Sequence, residues 1–312
     1  MSKERRTSYD GAVAALSEIT AERADVALIE LSNKKKMGEI TKLGGLSMAS
    51  SAESAVSVAS GMAIEGQRVF ILSENAPHFI ARSYEQIRSS VAIPNQKVVI
   101  LSIHDSASCD GDGAPRQMWE DFALMRAMPN MRVMAASDWT SAYAIIMNAV
   151  RDGHPAYVRL SRAKARDIYE TGDDDFHVGG ARRLTDGDGV TILSCGVMAG
   201  EALIAANILS QQGMSAEVID CYSIKPFPER MLVASARRTG CCVVAEKHAT
   251  AGGLYGAVTE CLCRNYTVPV RQVAINDTFG QSGLPEEIDE YYGLTRKEIV
   301  HNVIQVWAMR RR

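Results

Sequence analysis

The sequence of 312 residues contains no apolar run long enough to cross a membrane as a helix, which excludes a helical span on pattern alone. No charge of one sign accumulates. The 34 Lys and Arg stand against 37 Asp and Glu, and the basic runs Lys34-Lys35-Lys36, Arg182-Arg183, Arg237-Arg238 and Arg310-Arg311-Arg312 are short. A general nucleic-acid binder needs a cationic surface that such a balance does not supply, so no nucleic-acid partner is expected. Seven cysteines, an odd number, include the neighbours Cys241-Cys242 and the close pair Cys261 and Cys263, with no histidines at zinc-like spacing. A reduced, cytoplasmic setting is the expectation. The opening stretch MSKERRTSYD has no apolar core, and no internal repeat or low-complexity tract is visible.

What is present is a chain with 46% hydrophobic residues, long enough for two domains with their own cores. Short β-rich runs alternate with helical patterns. VALIEL, RVFIL, KVVILSI, RVMAAS and AYVRLS are separated by segments such as ESAVSVASGMAIEG and SAYAIIMNAVRDG. Strands apolar on both faces, alternating with helices, predict parallel α/β sheets covered on both sides. The acidic, turn-rich stretch from Glu170 to Gly189 breaks the rhythm and predicts a linker with a hairpin leading into the second domain. Beyond it VTILSCG, AEVIDCYSI, CCVVAEK and VRQVAIN alternate with three helical patterns, predicting a second, smaller α/β domain. The expected boundaries are 1–170, a linker over 171–188, and 189–312.

In such sheets ligands sit beyond the carboxyl ends of the strands. Polar clusters fall there at Glu30 to Lys36, Ser73 to Phe79, His104 to Gln117 and Ser161-Arg162. Glu53 is an isolated carboxylate among Ala, Ser, Val and Gly. A lone buried carboxylate costs several kcal/mol unless paired or protonated, so it is either a site residue or a first-turn acid favouring the helix dipole. His104 reads locally as a strand-end cap or a ligand, Arg162 as a solvated or an anion-binding guanidinium, and Lys34 as a charged turn or a phosphate contact. His248, in EKH, reads as a satisfied structural histidine.

SSAESAVSVASGMA, FIARSYEQIR, IHDSASCDGDGAPRQMWEDFALMRAMPNM, YVRLSR, ILSCGVMAGEAL, IKPFPE, EKHATAGGLYGAV and NDTFGQSG together carry a resemblance. Across nearly the whole chain the sequence resembles the C-terminal half of transketolases, as found in split, two-gene members of that family. The resemblance implies a pyrimidine-binding domain followed by a transketolase C-terminal domain. It implies thiamine diphosphate as cofactor and transfer of a two-carbon ketol unit from a ketose-type donor to an aldehyde or aldose. By the same likeness Glu53 meets the aminopyrimidine N1′, and Glu30 and Phe79 belong to the cofactor site. His104 faces the sugar near its phosphate end, Asp112 a hydroxyl beside the reacting carbonyl and Arg162 the substrate phosphate, with Lys34 near a phosphate contact. Gly111-Asp112-Gly113 imitates a magnesium and diphosphate motif but lies inside the substrate loop, and Gly187-Asp188-Gly189 reads as a turn. The Mg2+ and diphosphate ligands are therefore expected on a separate N-terminal-type subunit, in a heterodimer or heterotetramer, with none on this chain.

Three departures stand out. Arg116 occupies the place of a family His thought to contact the donor at the reacting centre. A guanidinium holds an anion but cannot act as a base, which suggests an anionic ketose-like substrate and specialisation for secondary metabolism. The aromatic shelf falls on Phe79, His78 or Asn75. Lys34 stands near a position often occupied by Ser. Two other readings stay open: a non-catalytic or regulatory partner subunit, and the β-subunit of a 2-oxoacid dehydrogenase.

Overall fold

A computed structural model describes residues 6–31, 39–48, 51–73, 77–103, 113–164 and 166–310, apart from the side chains of Pro77 and His78. Two sheets form the frame. The first contains β1 (Val26–Leu31), β2 (Leu46–Ser47), β3 (Arg68–Ser73), β4 (Val98–Ile103), β5 (Arg132–Ala135), β6 (Ala156–Leu160) and a strand from much later in the chain, β10 (Ser223–Lys225). Its order is β10-β5-β6-β4-β3-β1-β2, parallel except where β10 runs against β5. The second sheet orders β12-β11-β8-β9-β7, from β7 (Arg182–Thr185), β8 (Val190–Ser194), β9 (Ala216–Asp220), β11 (Cys242–Ala249) and β12 (Val270–Ile275).

Strand alternation explains the near-continuous apolar runs. Phe70, Leu72, Val99, Leu101 and Ile103 point to one face, beneath helices α1 (Ser8–Glu22) and α6 (Trp139–Ala149). Val69, Ile71, Val98 and Ile100 point to the other, beneath α3 (Ala52–Ile64), the helical stretch 77–92 and α5 (Asp121–Ala127). That second core layer continues without a break into Leu193, Ile219, Val244, Leu254 and Val258 of the second domain, where α8 (Glu229–Thr239) and α9 (Leu254–Asn265) cover the sheet. On the opposite face of the second sheet lie α7 (Met198–Gln211) and α11 (Arg296–Ala308), the latter preceded by α10 (Pro285–Tyr291). No helix among the described residues is long and apolar enough to cross a membrane.

One expectation is corrected. The stretch ahead of the second domain forms no hairpin with β8. Strand β7 instead pairs antiparallel with β9, Arg183 opposite Ile219, because both edges of β8 are taken by the parallel strands β9 and β11. The Gly187-Asp188-Gly189 turn then lies against residues 215–217. A Cβ at Gly187 would sit 2.3 Å from the Ala216 carbonyl carbon and one at Gly189 2.5 Å from the Ser215 oxygen, so glycine is required there.

The domains are also joined by a buried carboxylate. Asp220, at the end of β9, accepts hydrogen bonds from Ser137 Oγ and Tyr169 OH, each at 2.7 Å, while Asp138 Oδ2 accepts from the amides of Ile168 and Tyr169. Burial pushes the Asp220 carboxyl up to about 7. An unfolded Asp titrates near about 3.9, so between those values the folded chain holds a proton that the unfolded chain has lost. Stability is therefore expected to fall as pH rises from about 4 through about 7, with this contribution absent in Asp220→Asn. Chemical denaturation of both proteins across that range checks it; parallel pH profiles would rule it out.

Candidate functional site

Parallel strands bring their carboxyl ends to one edge, and helices returning from that edge begin there. β6, β4, β3 and β1 are neighbours, so Arg162 after β6, Ser73 at the end of β3 and Glu30 near the end of β1 share one rim at strand spacing. Helix α3 packs on β1 and β3 and starts at the same rim, which places Glu53 beside them.

The start of α3 is fixed locally. Ser51 caps it, its Oγ accepting from Ser54 N at 3.2 Å, and Ala55, Val56, Ala59 and Ala63 are buried against the sheet. Glu53 thus falls in the first turn, on the flank rather than beneath the helix. Its side chain is 35% exposed and its Oε1 lies 3.4 Å from Arg82 Nε, itself an exposed guanidinium in FIARSYEQIR. The carboxylate faces outward at the start of the helix.

Glu30 is 1% exposed and accepts through Oε2 from the amide and hydroxyl of Thr41, at 3.0 and 2.7 Å. Its Oε1 is buried with no hydrogen-bond partner among the described residues. Such an atom pays desolvation without compensation and is a ready acceptor for a donor reaching the rim. Phe79 is 1% exposed and packs within the core layer under α3, so its ring braces the wall and offers no open face. The alternative shelf positions, Asn75 and the His78 side chain, lie outside the described residues, as do Lys34, His104 and Asp112.

Arg162 is half-buried, its guanidinium 4.3 Å over the ring of Tyr9. Tyr9 is held there because its amide donates to the Ser161 carbonyl at 3.1 Å, and Ser8 Oγ bonds the Ser161 backbone through both amide and carbonyl. The cation–π contact orients the guanidinium. Sequence reading missed Tyr9, whose only signal was an aromatic at the head of the first helix.

Arg116 is exposed at the end of the single turn Ala114–Arg116. The turn is fixed from the second domain: Gln117 Nε2 donates to the Gln281 carbonyl at 2.9 Å. A Cβ at Gly280 would lie 1.6 Å from Gln117 Oε1, so a larger residue there would displace the Gln117 side chain from this contact. NDTFGQSG is thus a buttress for the loop carrying Arg116.

His248 is fully buried. Its Nδ1 donates to the Ala249 carbonyl at 2.7 Å and its Nε2 accepts from Ala123 N at 3.4 Å, which assigns a neutral tautomer; the ring stacks on Phe122 at 5.4 Å. It is a structural histidine joining α5 to β11. Beneath it Asp121, fully buried, receives Arg159 Nε at 2.9 Å and Tyr157 OH at 2.5 Å, a cluster that sequence reading also missed.

The arrangement defines a two-domain, doubly wound α/β protein with an outward-facing carboxylate and guanidinium at a common sheet edge. Comparisons with known proteins make it specific. The transketolase pyrimidine-binding domain matches residues 46–167, and the transketolase C-terminal domain matches 179–299. The 6-deoxy-6-sulfo-D-fructose transketolase subunit SqwH of Clostridium sp. is 36% identical over 252 residues, 80% of this chain and 77% of that relative. An apulose-4-phosphate transketolase subunit of Phocaeicola vulgatus is 32% identical over 253 residues, 81% of this chain and 80% of the relative. A solved split-gene transketolase, described as an inactive β4 tetramer, superposes with a TM-score of 0.89 at 32% identity, covering 98% of this chain and 100% of that one. The chain belongs to the transketolase family and carries its pyrimidine-binding and C-terminal domains.

Proposed function

We propose that this chain is the C-terminal subunit of a split, thiamine-diphosphate-dependent transketolase that moves a two-carbon ketol unit from a ketose-type donor to an aldehyde or aldose acceptor. The observation that carries the reading is the placement of Glu53. A carboxylate in the first turn of α3, 35% exposed beside Arg82, serves no core function and faces outward from the sheet rim. Support for a second subunit comes from the relatives, among them two named as transketolase subunits and a solved split-gene transketolase. The remaining part, with the diphosphate and Mg2+ ligands, is assigned to an N-terminal-type partner. Residues 1–170 and 189–312 are taken as the two domains, with β10 returned to the first sheet across the linker.

The residues present fit the pyrimidine end of the cofactor. Glu53 would hold a proton shared with the pyrimidine N1′, and the unpartnered Oε1 of Glu30 would accept a donor at the same rim. Thiamine diphosphate, when bound, supplies the nucleophilic carbon that takes up and releases the two-carbon unit. Arg162, oriented on Tyr9, would bind the substrate phosphate through its planar fork, with Lys34, His104 and Asp112 as further substrate contacts. Arg116 would clamp an anionic group near the reacting carbon.

Co-expression with an N-terminal-type subunit, then a cofactor-binding assay and a screen of ketose donors, tests the function. Ketol transfer only in the reconstituted pair is expected; transfer by neither the pair nor the chain alone would favour the regulatory-partner reading. Within the active pair, Arg116→Ala should lose roughly ten- to a hundredfold in kcat/KM on anionic donors, the worth of one charge-assisted contact, and much less on neutral ones. Equal losses on both donor types would reduce Arg116 to a brace of its loop.

A further inference from the structure

The second sheet has its own switch point. The chain leaves β8 through α7 to β9 on one side, while β11 lies on the other, so the segments following β8 and β11 diverge at the carboxyl edge. That is where open parallel sheets form ligand crevices. A cavity of about 640 Å³ lies there, lined by Ser137, Val197 and Lys247, by Ala163, Lys164, Arg166 and Ile168, by the first turn of α7 and by the α10–α11 corner. Its volume is in the range of pockets for small organic ligands. None of Glu30, Glu53, Phe79, Arg116 or Arg162 lines it.

Its charges are unevenly matched. Lys247 Nζ pairs with Asp289 at 2.6 Å, Arg296 with Glu201 at 3.4 Å and Lys297 with Glu290 at 3.1 Å, while Glu286 stands on the rim outside these pairs. Two further cations, Lys164 and Arg166, face the same space with no ion pair among the described residues. Helix α7 also opens toward it: Val197, at its N-cap, provides no side-chain hydrogen bond, so its first amides are not served by a capping side chain. α11 contributes less, because Thr295 and Glu201 already take the amides of Glu298 and Arg296. Met198, Ile204 and Leu294 supply an apolar wall.

We propose that this cavity is a second ligand site, in the C-terminal domain, for a phosphorylated small organic molecule. The phosphate meets Lys164, Arg166 and the start of α7, and the organic part lies on the apolar wall. A guanidinium, an ammonium and a helix N-terminus converging on one space suit a tetrahedral dianion, and a cavity many times larger than phosphate calls for an ester rather than the free ion. The inference does not depend on the reaction proposed above.

The test is calorimetric titration of the full chain with inorganic phosphate, a hexose phosphate and a nucleoside monophosphate. The parent, Lys164→Ala/Arg166→Ala and Arg162→Ala proteins are compared. Both replaced cations are exposed, so the double variant should fold as the parent does. The parent should bind an ester more tightly than inorganic phosphate, the double variant should lose at least about tenfold, and Arg162→Ala should retain the site that the double variant loses. No binding of any probe at millimolar concentration overturns the proposal. So does binding indifferent to the double substitution, or binding lost in Arg162→Ala, which would place the phosphate in the transketolase site instead. An adventitious anion would show as inorganic phosphate binding as tightly as the esters, and would equally overturn it.

Discussion

Glu53→Gln should reduce proton exchange at the thiazolium C2 of the cofactor by about 10²- to 10⁴-fold in the reconstituted pair, the range over which a positioned acid–base group contributes. The expectation follows from what the amide keeps and what it loses. Its volume and its hydrogen-bonding oxygen survive, but it cannot share an ionisable proton with N1′. Stability gives the contrast. Among the described residues Glu53 makes one ion pair, 3.4 Å to an Arg82 side chain that is 61% exposed, and an exposed pair of that kind contributes under about 1 kcal/mol. A structural acid would therefore show a small effect on folding and none on exchange, whereas the proposed role shows the reverse. Exchange followed by NMR after acid quench, alongside urea unfolding of the isolated subunit, separates the two. Parent-like exchange in the variant would remove Glu53 from the chemistry and with it the main support for the functional proposal.

The difference between what could and could not be read beforehand follows separation along the chain. KVVILSI is legible as a buried strand because both its faces are apolar, and in the fold Val98 and Ile100 enter one core layer while Val99 and Leu101 enter the other. Glu53 and Arg162 lie near a helix start and a strand end, as the local pattern around each suggests, because such positions depend on neighbours in sequence. IKPFPE gave no hint that its first residues complete the first sheet: β10 is three residues long and pairs with β5, some ninety positions earlier. The same holds for Gln117 with Gly280 and for Arg162 with Tyr9, contacts that no local periodicity encodes. Phe79 shows another limit. An aromatic in a loop-to-helix stretch fits a stacking shelf or a core residue equally well, and its burial is invisible in sequence.

The largest effect on folding should come from Asp121→Ala. Asp121 is fully buried where α5 meets β6, and takes Arg159 in a two-pronged pair together with the Tyr157 hydroxyl. Arg159 in turn donates Nη1 to the Lys247 carbonyl at 2.8 Å and lies 3.6 Å over the Phe122 ring, whose other neighbour is His248. One carboxylate thus neutralises a guanidinium that spans from the first sheet to the last residues of β11. Such a pair is weak evidence of net stabilisation, since two charges lost their water to form it. Removing one partner is different, because the other charge stays buried and uncompensated, at a cost of about 3–5 kcal/mol. For a chain of this size each kcal/mol lowers Tm by roughly 2–4 °C, so a fall near 10 °C is expected. Arg159→Met should cost a similar amount by orphaning Asp121. The combined Asp121→Ala/Arg159→Met protein should cost less than the two single changes added, because no charge is left behind. Thermal and urea unfolding of the three variants measures this coupling. Additive losses would mean that the two residues act separately, the carboxylate through Tyr157 and the guanidinium through Lys247 and Phe122, and that the domain junction does not depend on their pairing.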